Sequence, residues 1–317
     1  MTQRPAQVRV PAKLQPGDRV RFVSPASPVV KGDLDRSTAL LTALGLQVEY
    51  GTHVYDVHPQ LDYLAGTDAN RLADINDALR DPGVKAIIAT RGGKGAYRIA
   101  DGLDFAAARQ HPTLLIGFSE ITILHMALLK NAGLVGIHGA PWDAETFGAA
   151  SAESFVRAVM HAKSVVIRAR SIEHTCSLTT HGKAKGMLIG GNQDSIATAA
   201  GWALPSFDGA ILLIEAFNLR LGHIDRQLTM LIKTGIIQHV VGVAIGQYTD
   251  CGSATDPTTD VQCTEIDILR DAFGKLGVPI LGGLPIGHGQ HPIALPIGTQ
   301  ATLDADAGTL TVAAGVR

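Results

Sequence analysis

Apolar positions along the chain follow two rhythms, a period of two and a period near 3.6, and these alternate through the first half. RVRFVS (Arg19 to Ser24) reads as a strand. In DLDRSTALLTALG, Leu34, Leu41 and Leu44 share one helical face, with Asp33 placed as an N-cap and Gly45 as the stop. LQVEY alternates Leu46, Val48 and Tyr50, and TDANRLADINDALRDPG carries Leu72, Ile75 and Leu79 at helical spacing before Pro82-Gly83 ends it. VKAIIAT, TLLIGFS and LVGIHG are short apolar strands, and a helix apolar on all sides runs from about Glu120 to Lys130. Repeated strand-helix units with short connections predict a parallel sheet covered on both faces.

The pattern loosens between about Thr146 and Thr180, where one helix (AESFVRAVMHA) and one strand (SVVIRARS) stand out. Beyond it, KAKGMLIGGNQDSIATAAG opens a second half that continues with the strand GAILLIEAF and the helix HIDRQLTMLIK, whose Ile224, Leu228 and Leu231 share a face. VVGVAIG and VPILGGLPIG supply further strands, and ATLDADAGTLTV reads as a closing hairpin turning near Ala307-Gly308. The expected fold class is therefore α/β. A Rossmann-like parallel-sheet domain spans 1–150, a linker 151–180, and a mixed α/β domain with strands of both orientations 181–317.

Composition narrows the function classes. In 317 residues, 46% hydrophobic and 18% charged residues describe a chain able to bury a large core, outside the disordered regime. A formal net charge of -2 without a Lys or Arg run speaks against a nucleic-acid partner. The opening MTQRPAQVRVPAKLQPGDRV has no apolar leader core, and no segment approaches the roughly 18 apolar residues that span a bilayer, so no membrane is expected and the expected location is cytoplasmic. Cys176, Cys251 and Cys263 are odd in number and lack a CxxC, which fits buried structural thiols better than a disulfide framework or a zinc site.

Ligands of open α/β sheets sit beyond the carboxyl ends of strands, which directs attention to RGGKGAYR, GFSEIT, LLIEAFN and PIGHGQH. RGGKGAYR has neither the Walker A spacing nor the third glycine of a dinucleotide fingerprint. Gly92 and Gly93 instead bring bare backbone amides within reach of a developing oxyanion, or simply form a turn. GFSEI lacks the second glycine of the GxSxG elbow, so Ser119 reads either as a helix N-cap or as a nucleophile at the positive end of a helix, with the amide of Glu120 beside it. Glu215 ends four apolar residues, where a lone charge is expensive, and His288 lies between glycines in GHGQ. Ser119, His288 and Glu215 supply the nucleophile, base and acid of acyl transfer. His288 and His291 also invite a metal, but two histidines without a third ligand, followed by Pro292, make a thin site, and no metal is expected. His125, His138 and His223 read as structural or lining groups.

Taken together, GDRVRFVSPASPV, YLAGTDANRLADIN, ATRGGKGAYR, LIGFSEIT, IHGAPW, GMLIGGN, LLIEAF with HIDRQL, GQYTDC and GLPIGHGQHPIALPIG resemble, in order and over nearly the whole chain, the serine LD-carboxypeptidases that trim murein tetrapeptides and the related microcin C immunity peptidases. The resemblance implies Ser119 as nucleophile, itself capping the following helix, with Glu215 as acid and His288 as base. It also implies an oxyanion hole from the loop of Gly92 and Gly93 with the Glu120 amide, assembly of the triad between two domains, a homodimer, a small peptide substrate and no cofactor. Lys94, Glu120, Ala216 and the NLRLG stretch before His223 depart from the usual family residues, which puts substrate contacts such as Lys94, Trp142 and Asn192 apart from the triad. An immunity-type enzyme acting on peptidyl-nucleotide or aminoacyl-sulfamoyl toxins is the alternative, for which Trp142, Trp202 or Tyr248 would offer a platform for a base. A binding module that keeps the fold without turnover, and a nucleotide-binding regulator using RGGKG, stand behind it.

Overall fold

The computed structural model describes residues 7–252 and 263–317; residues 1–6, the first part of the opening stretch just considered for a leader, lie outside it. The strands are β1 (Arg19–Val23), β2 (Gln47–Tyr50), β3 (Val84–Ala89), β4 (Leu114–Gly117), β5 (Gly136–His138), β6 (Val165–Arg168), β7 (Lys183–Asn192), β8 (Ile211–Phe217), β9 (Gly242–Thr249), β10 (Ile280–Leu281), β11 (Leu295–Ile297), β12 (Gln300–Asp304) and β13 (Thr309–Val312). The helices are α1 (Asp35–Ala43), α2 (Asp68–Arg80), α3 (Phe105–Gln110), α4 (Thr122–Ala132), α5 (Ala144–Phe147), α6 (Ala149–Met160), α7 (Gln193–Ala199), α8 (Leu221–Lys233) and α9 (Glu265–Gly274).

The first sheet has the order β11-β5-β4-β3-β1-β2, parallel throughout except for β11, which pairs antiparallel with β5. Its inner strands β3, β4 and β5 are buried on both faces, which explains their apolar runs, whereas the edge strand β2 is not. Ile87 and Leu115 point into a core with Ile75 and Leu79 of α2 and Leu124 and Leu128 of α4. Their neighbours Ile88, Leu114 and Ile116 point the other way, onto Leu41 of α1 and Phe155 and Val159 of α6.

The second sheet has the order β10-β9-β8-β7-β12-β13-β6. β7 to β10 run parallel, and β12, β13 and β6 add antiparallel strands, with the expected hairpin joining β12 to β13. Ile224, Leu228 and Leu231 of α8 enter its core as their spacing predicts. Residues 151–180 hold most of α6, the edge strand β6 and a 3-10 turn over His174–Leu178. Because β6 closes the second sheet, β11 closes the first, and β12 and β13 return to the second, the chain passes between the sheets three times.

Three local expectations are corrected. Helix α1 starts at Asp35 without a side-chain cap, and the Asp33 carboxylate instead accepts from the Val30 amide in the preceding turn. Only Ile280 and Leu281 of VPILGGLPIG are strand, because the run that follows leaves the sheet. Helix α9, closed by a Thr264–Asp267 capping box, was not foreseen. Among the described residues no helix is long and apolar enough to cross a membrane.

Candidate active site

Ser119 follows the carboxyl end of β4 in a backbone conformation that side chains rarely adopt, φ 61°. Gly117 makes that sharp turn possible, since a Cβ there would overlap the Ile121 side chain. A 3-10 turn over Ser119–Ile121 then leads into α4, which begins two residues later than expected. The Ser119 hydroxyl caps neither the turn nor the helix, which corrects the capping expectation. The backbone strain at this serine, combined with an uncommitted hydroxyl, is the local signature of a strand-to-helix elbow that presents a nucleophile.

The loop after β3 lies directly against this elbow. A Cβ on Gly92 would stand 2.7 Å from Ser119 Cβ, 2.9 Å from Ser119 Oγ and 3.2 Å from the Glu120 nitrogen, so only glycine lets the two segments approach this closely. Among the described residues the amides of Gly92, Gly93 and Glu120 find no acceptor, whereas those of Lys94, Gly95 and Ala96 do. Unpaired amides clustered beside a nucleophile are what an oxyanion needs.

Glu215 sits near the end of β8 and is fully buried. Pairing with β9 skips a register here, from Ile214 opposite Ile245 to Ala216 opposite Tyr248. Gly246 and Gly287 clear the space, since a Cβ on either would crowd the Glu215 side chain, at 3.0 Å from its Cβ and 2.9 Å from its Oε2 respectively. His288 lies on the connection between β10 and β11, where the chain crosses from the second sheet to the first. Its Nδ1–H donates to Glu215 Oε2 at 2.8 Å, which fixes the tautomer and leaves Nε2 basic. The ring stacks on Phe217 (centroids 5.0 Å apart, planes 13° apart) and tilts against Phe118, the neighbour of Ser119, at 4.9 Å. Among the described residues no hydrogen bond joins His288 to Ser119, so of the three residues only Glu215 and His288 are bonded to each other.

The base loop has its own clamp. Gln247 of β9 donates through Nε2 to Glu173 (2.8 Å) and the Gln290 carbonyl (3.1 Å), and its Oε1 accepts from the Gly289 amide (2.8 Å). Sequence reasoning passed over Gln247; its only signal was a polar residue inside the buried strand GVAIGQYT. Phe217, two residues after Glu215, was also missed.

Two cavities meet at Phe217. One of about 810 Å³ is lined by Ser119, Glu120, Gly93, Lys94, Asn192 and Asp194 among others, and a second of about 670 Å³ by His288, Trp142, Phe118 and Arg36 among others. Lys94 Nζ stands 3.6 Å from Asp194 Oδ2 in the first cavity. The Asn192 side-chain oxygen caps α7 by accepting from the Ser195 amide. Trp142 is buried against Phe118 and Phe147. Tyr248 is also buried, with its hydroxyl donating to Gln193, and therefore offers no platform to a ligand.

His138 and His125 lie behind the site, both buried and both held neutral by desolvation, which pushes them down to about 4. The His125 Nε2–H donates to the Gly117 carbonyl at 3.0 Å and so braces the end of β4. His291 bonds the Phe147 carbonyl through Nδ1 at 2.7 Å. Residues of the two sheets also bond directly. The Asn192 amide donates to Thr122 Oγ1 at 3.0 Å, and Ser195 Oγ donates to the Ser119 carbonyl at 3.4 Å.

Comparison with known proteins matches this arrangement to a family on both halves. A family model described as the LD-carboxypeptidase N-terminal domain covers residues 20–139, and one described as the LD-carboxypeptidase C-terminal domain covers 185–303. The chain is 34% identical to the "Probable murein peptide carboxypeptidase" of Bacillus subtilis, over 96% of this chain and 95% of that one. It is 30% identical to the murein tetrapeptide carboxypeptidase of Pseudomonas aeruginosa, over 96% and 98% respectively. In fold it is similar to the structure of MccF in complex with glutamyl sulfamoyl guanosine, with a TM-score of 0.81 at 21% identity, covering 96% of this chain and 98% of that one.

Proposed function

The chain belongs to the LD-carboxypeptidase family and is a serine-type carboxypeptidase, a hydrolase; from that premise we propose that Ser119, His288 and Glu215 form its catalytic triad and that its substrate is a murein tetrapeptide, from which it releases the terminal D-Ala. The observation that carries the assignment is the Glu215–His288 bond, its imidazole packed on Phe118, next to a serine held at positive φ beside unpaired amides.

In the first step His288 Nε2 takes the Ser119 proton as Oγ attacks the carbonyl carbon of the scissile bond. Glu215 stabilises the imidazolium so formed. Negative charge on the carbonyl oxygen is met by the amides of Gly92 or Gly93 and of Glu120, donors whose loss individually costs about 3 kcal/mol of barrier in measured cases. His288 then gives its proton to the departing amine, and water releases the acyl group by the same path in reverse. Asn192, Lys94 and Asp194 line the chamber in front of Ser119 and are placed to meet the peptide. The proposal carries with it a cytoplasmic homodimer.

Incubation of the wild-type protein and a Ser119→Ala variant with murein tetrapeptide, followed by mass spectrometry of free D-Ala, tests it. Release by the wild type alone is expected. Release by both overturns the triad, and release by neither overturns the substrate. The fold shared with MccF makes aminoacyl-sulfamoyl adenosine the second compound to try, although two of the three aromatic residues considered as base platforms, Trp142 and Tyr248, are buried.

A further inference from the structure

Glu120 contributes to the site through its backbone amide in the mechanism above, but its side chain turns the other way. The carboxylate is buried, and its two oxygens accept separately from the amides of Gly95 and Ala96, each at 3.1 Å. Those amides close the loop that begins with Gly92. The other end of the same loop is held by Ser27, whose amide donates to the Gly92 carbonyl at 3.3 Å and whose Oγ accepts from the Lys94 amide at 2.9 Å. The amides of Gly92 and Gly93, at the Ser27 end of this doubly anchored loop, are left without an acceptor among the described residues.

We propose that the Glu120 carboxylate is a positioning residue that joins the two halves of the oxyanion hole, fixing the glycine loop to the residue whose own amide is the other donor. The proposal rests on Ser119 being the nucleophile. One residue then supplies one donor directly and sets the distance to the second, so that the elbow and the loop move as a unit. Two hydrogen bonds from adjacent amides to the two oxygens of one largely buried side chain hold the loop at two points at once. Glycine at 93 and 95 is required by the same path, since both have positive φ (110° and 130°) and a Cβ on either would overlap Ser27 or Arg71 respectively.

A purely structural carboxylate would support folding without affecting the transition state selectively, and the experiment separates the two roles. Glu120→Gln retains size but offers one acceptor oxygen and turns an NH2 group toward the other amide. Glu120→Asp keeps two acceptor oxygens on a shorter stem. With murein tetrapeptide, kcat is expected to fall at least tenfold in Glu120→Gln, while substrate affinity measured in a Ser119→Ala background changes less than twofold. Glu120→Asp is expected to recover part of the loss. Hydrogen exchange is expected to speed up at the Gly95 and Ala96 amides in Glu120→Gln.

Unchanged kcat in Glu120→Gln overturns the proposal, as does a loss of binding that accounts for the whole loss of rate, or an Asp variant no better than Gln. If the wild type cleaves no tetrapeptide, the proposed function falls instead. The exchange measurement then decides the loop assignment alone: unchanged protection at Gly95 and Ala96 overturns it, and faster exchange upholds the anchoring.

Discussion

Gly92→Ala is the smallest change that reaches the proposed nucleophile without touching a residue of the proposed triad. Gly92 does not have positive φ, so alanine is acceptable to its own backbone, unlike the neighbouring Gly93 and Gly95. The added methyl would stand 2.7 Å from Ser119 Cβ and 2.9 Å from Oγ. Carbon atoms rest at about 3.5–4.0 Å, so the nucleophile or the loop must retreat by about 1 Å. The elbow has little freedom to comply, because Ser119 already sits at positive φ with Ile121 filling the space over Gly117. A displacement of about 1 Å at a reacting centre lowers the rate about a hundredfold, or about 2.7 kcal/mol of barrier. Global stability should lose no more than the roughly 1–3 kcal/mol of an overpacked site, since the loop borders an open cavity. Steady-state release of D-Ala, with calorimetric Tm as the control, is the assay. A Gly92→Ala protein that folds and retains kcat within threefold of wild type would refute the close approach of loop and nucleophile on which the oxyanion assignment depends.

Glu215→Gln should fold, yet lose about 10⁴-fold in kcat, because an amide NH2 facing His288 Nδ1 stabilises the wrong tautomer; retention of more than a tenth of the activity contradicts the acid's role. Gln247→Leu removes three hydrogen bonds from the base loop and is expected to lower kcat about tenfold and Tm by several degrees, read by the same two assays. Stability should decline on acidification between about pH 6.5 and 4. His125 and His138, at about 4 in the fold, ionise more readily when unfolded, so the stabilisation they give is intact above about 6.5 and lost toward 4. Glu120, pushed up to about 7 by burial against the pull of the Ala96 and Gly95 amides and of Lys94 and Arg71, works oppositely, since the fold binds its proton first as pH drops from 7. Two imidazoles against one carboxyl leave a net loss of about 3 kcal/mol, measured by urea unfolding at several pH values. A flat profile would show that the buried histidines are not held neutral, and Glu120→Gln should make the decline steeper.

Local chemistry made part of the site readable. Ser119, Glu215 and His288 each follow a strand-like run or stand among glycines, and a lone charge after ILLI has few explanations other than a partner. The glycines of RGGKG signalled close backbone approach, although not to what. Residues that act only through position left weaker marks. Gln247 is one polar residue in an apolar strand, and Phe217 one aromatic among several. The Glu120 side chain was overshadowed by its own amide, and Ser27 gave no sign because its partners lie 65 and 67 positions away along the chain. The Asp33 cap failed for a related reason: a carboxylate beside a turn bonds whichever amide the turn presents, here Val30.

By itself the sequence determined the two-sheet α/β class, because strands buried on both faces must be apolar throughout and helices packed on them must repeat near 3.6. It also determined which residue types were available for acyl transfer. Tertiary structure alone decided that Glu215 and His288 bond and that Phe118, the neighbour of Ser119, lies against the His288 ring. Ser119 ends a strand of the first sheet, Glu215 lies near the end of one in the second, and His288 rides the crossing between them. That crossing depends on β11 pairing with β5, and the approach of the glycine loop to the elbow on the absence of a side chain at Gly92. Such contacts arise from packing between segments far apart in the chain, and no local period or propensity encodes them.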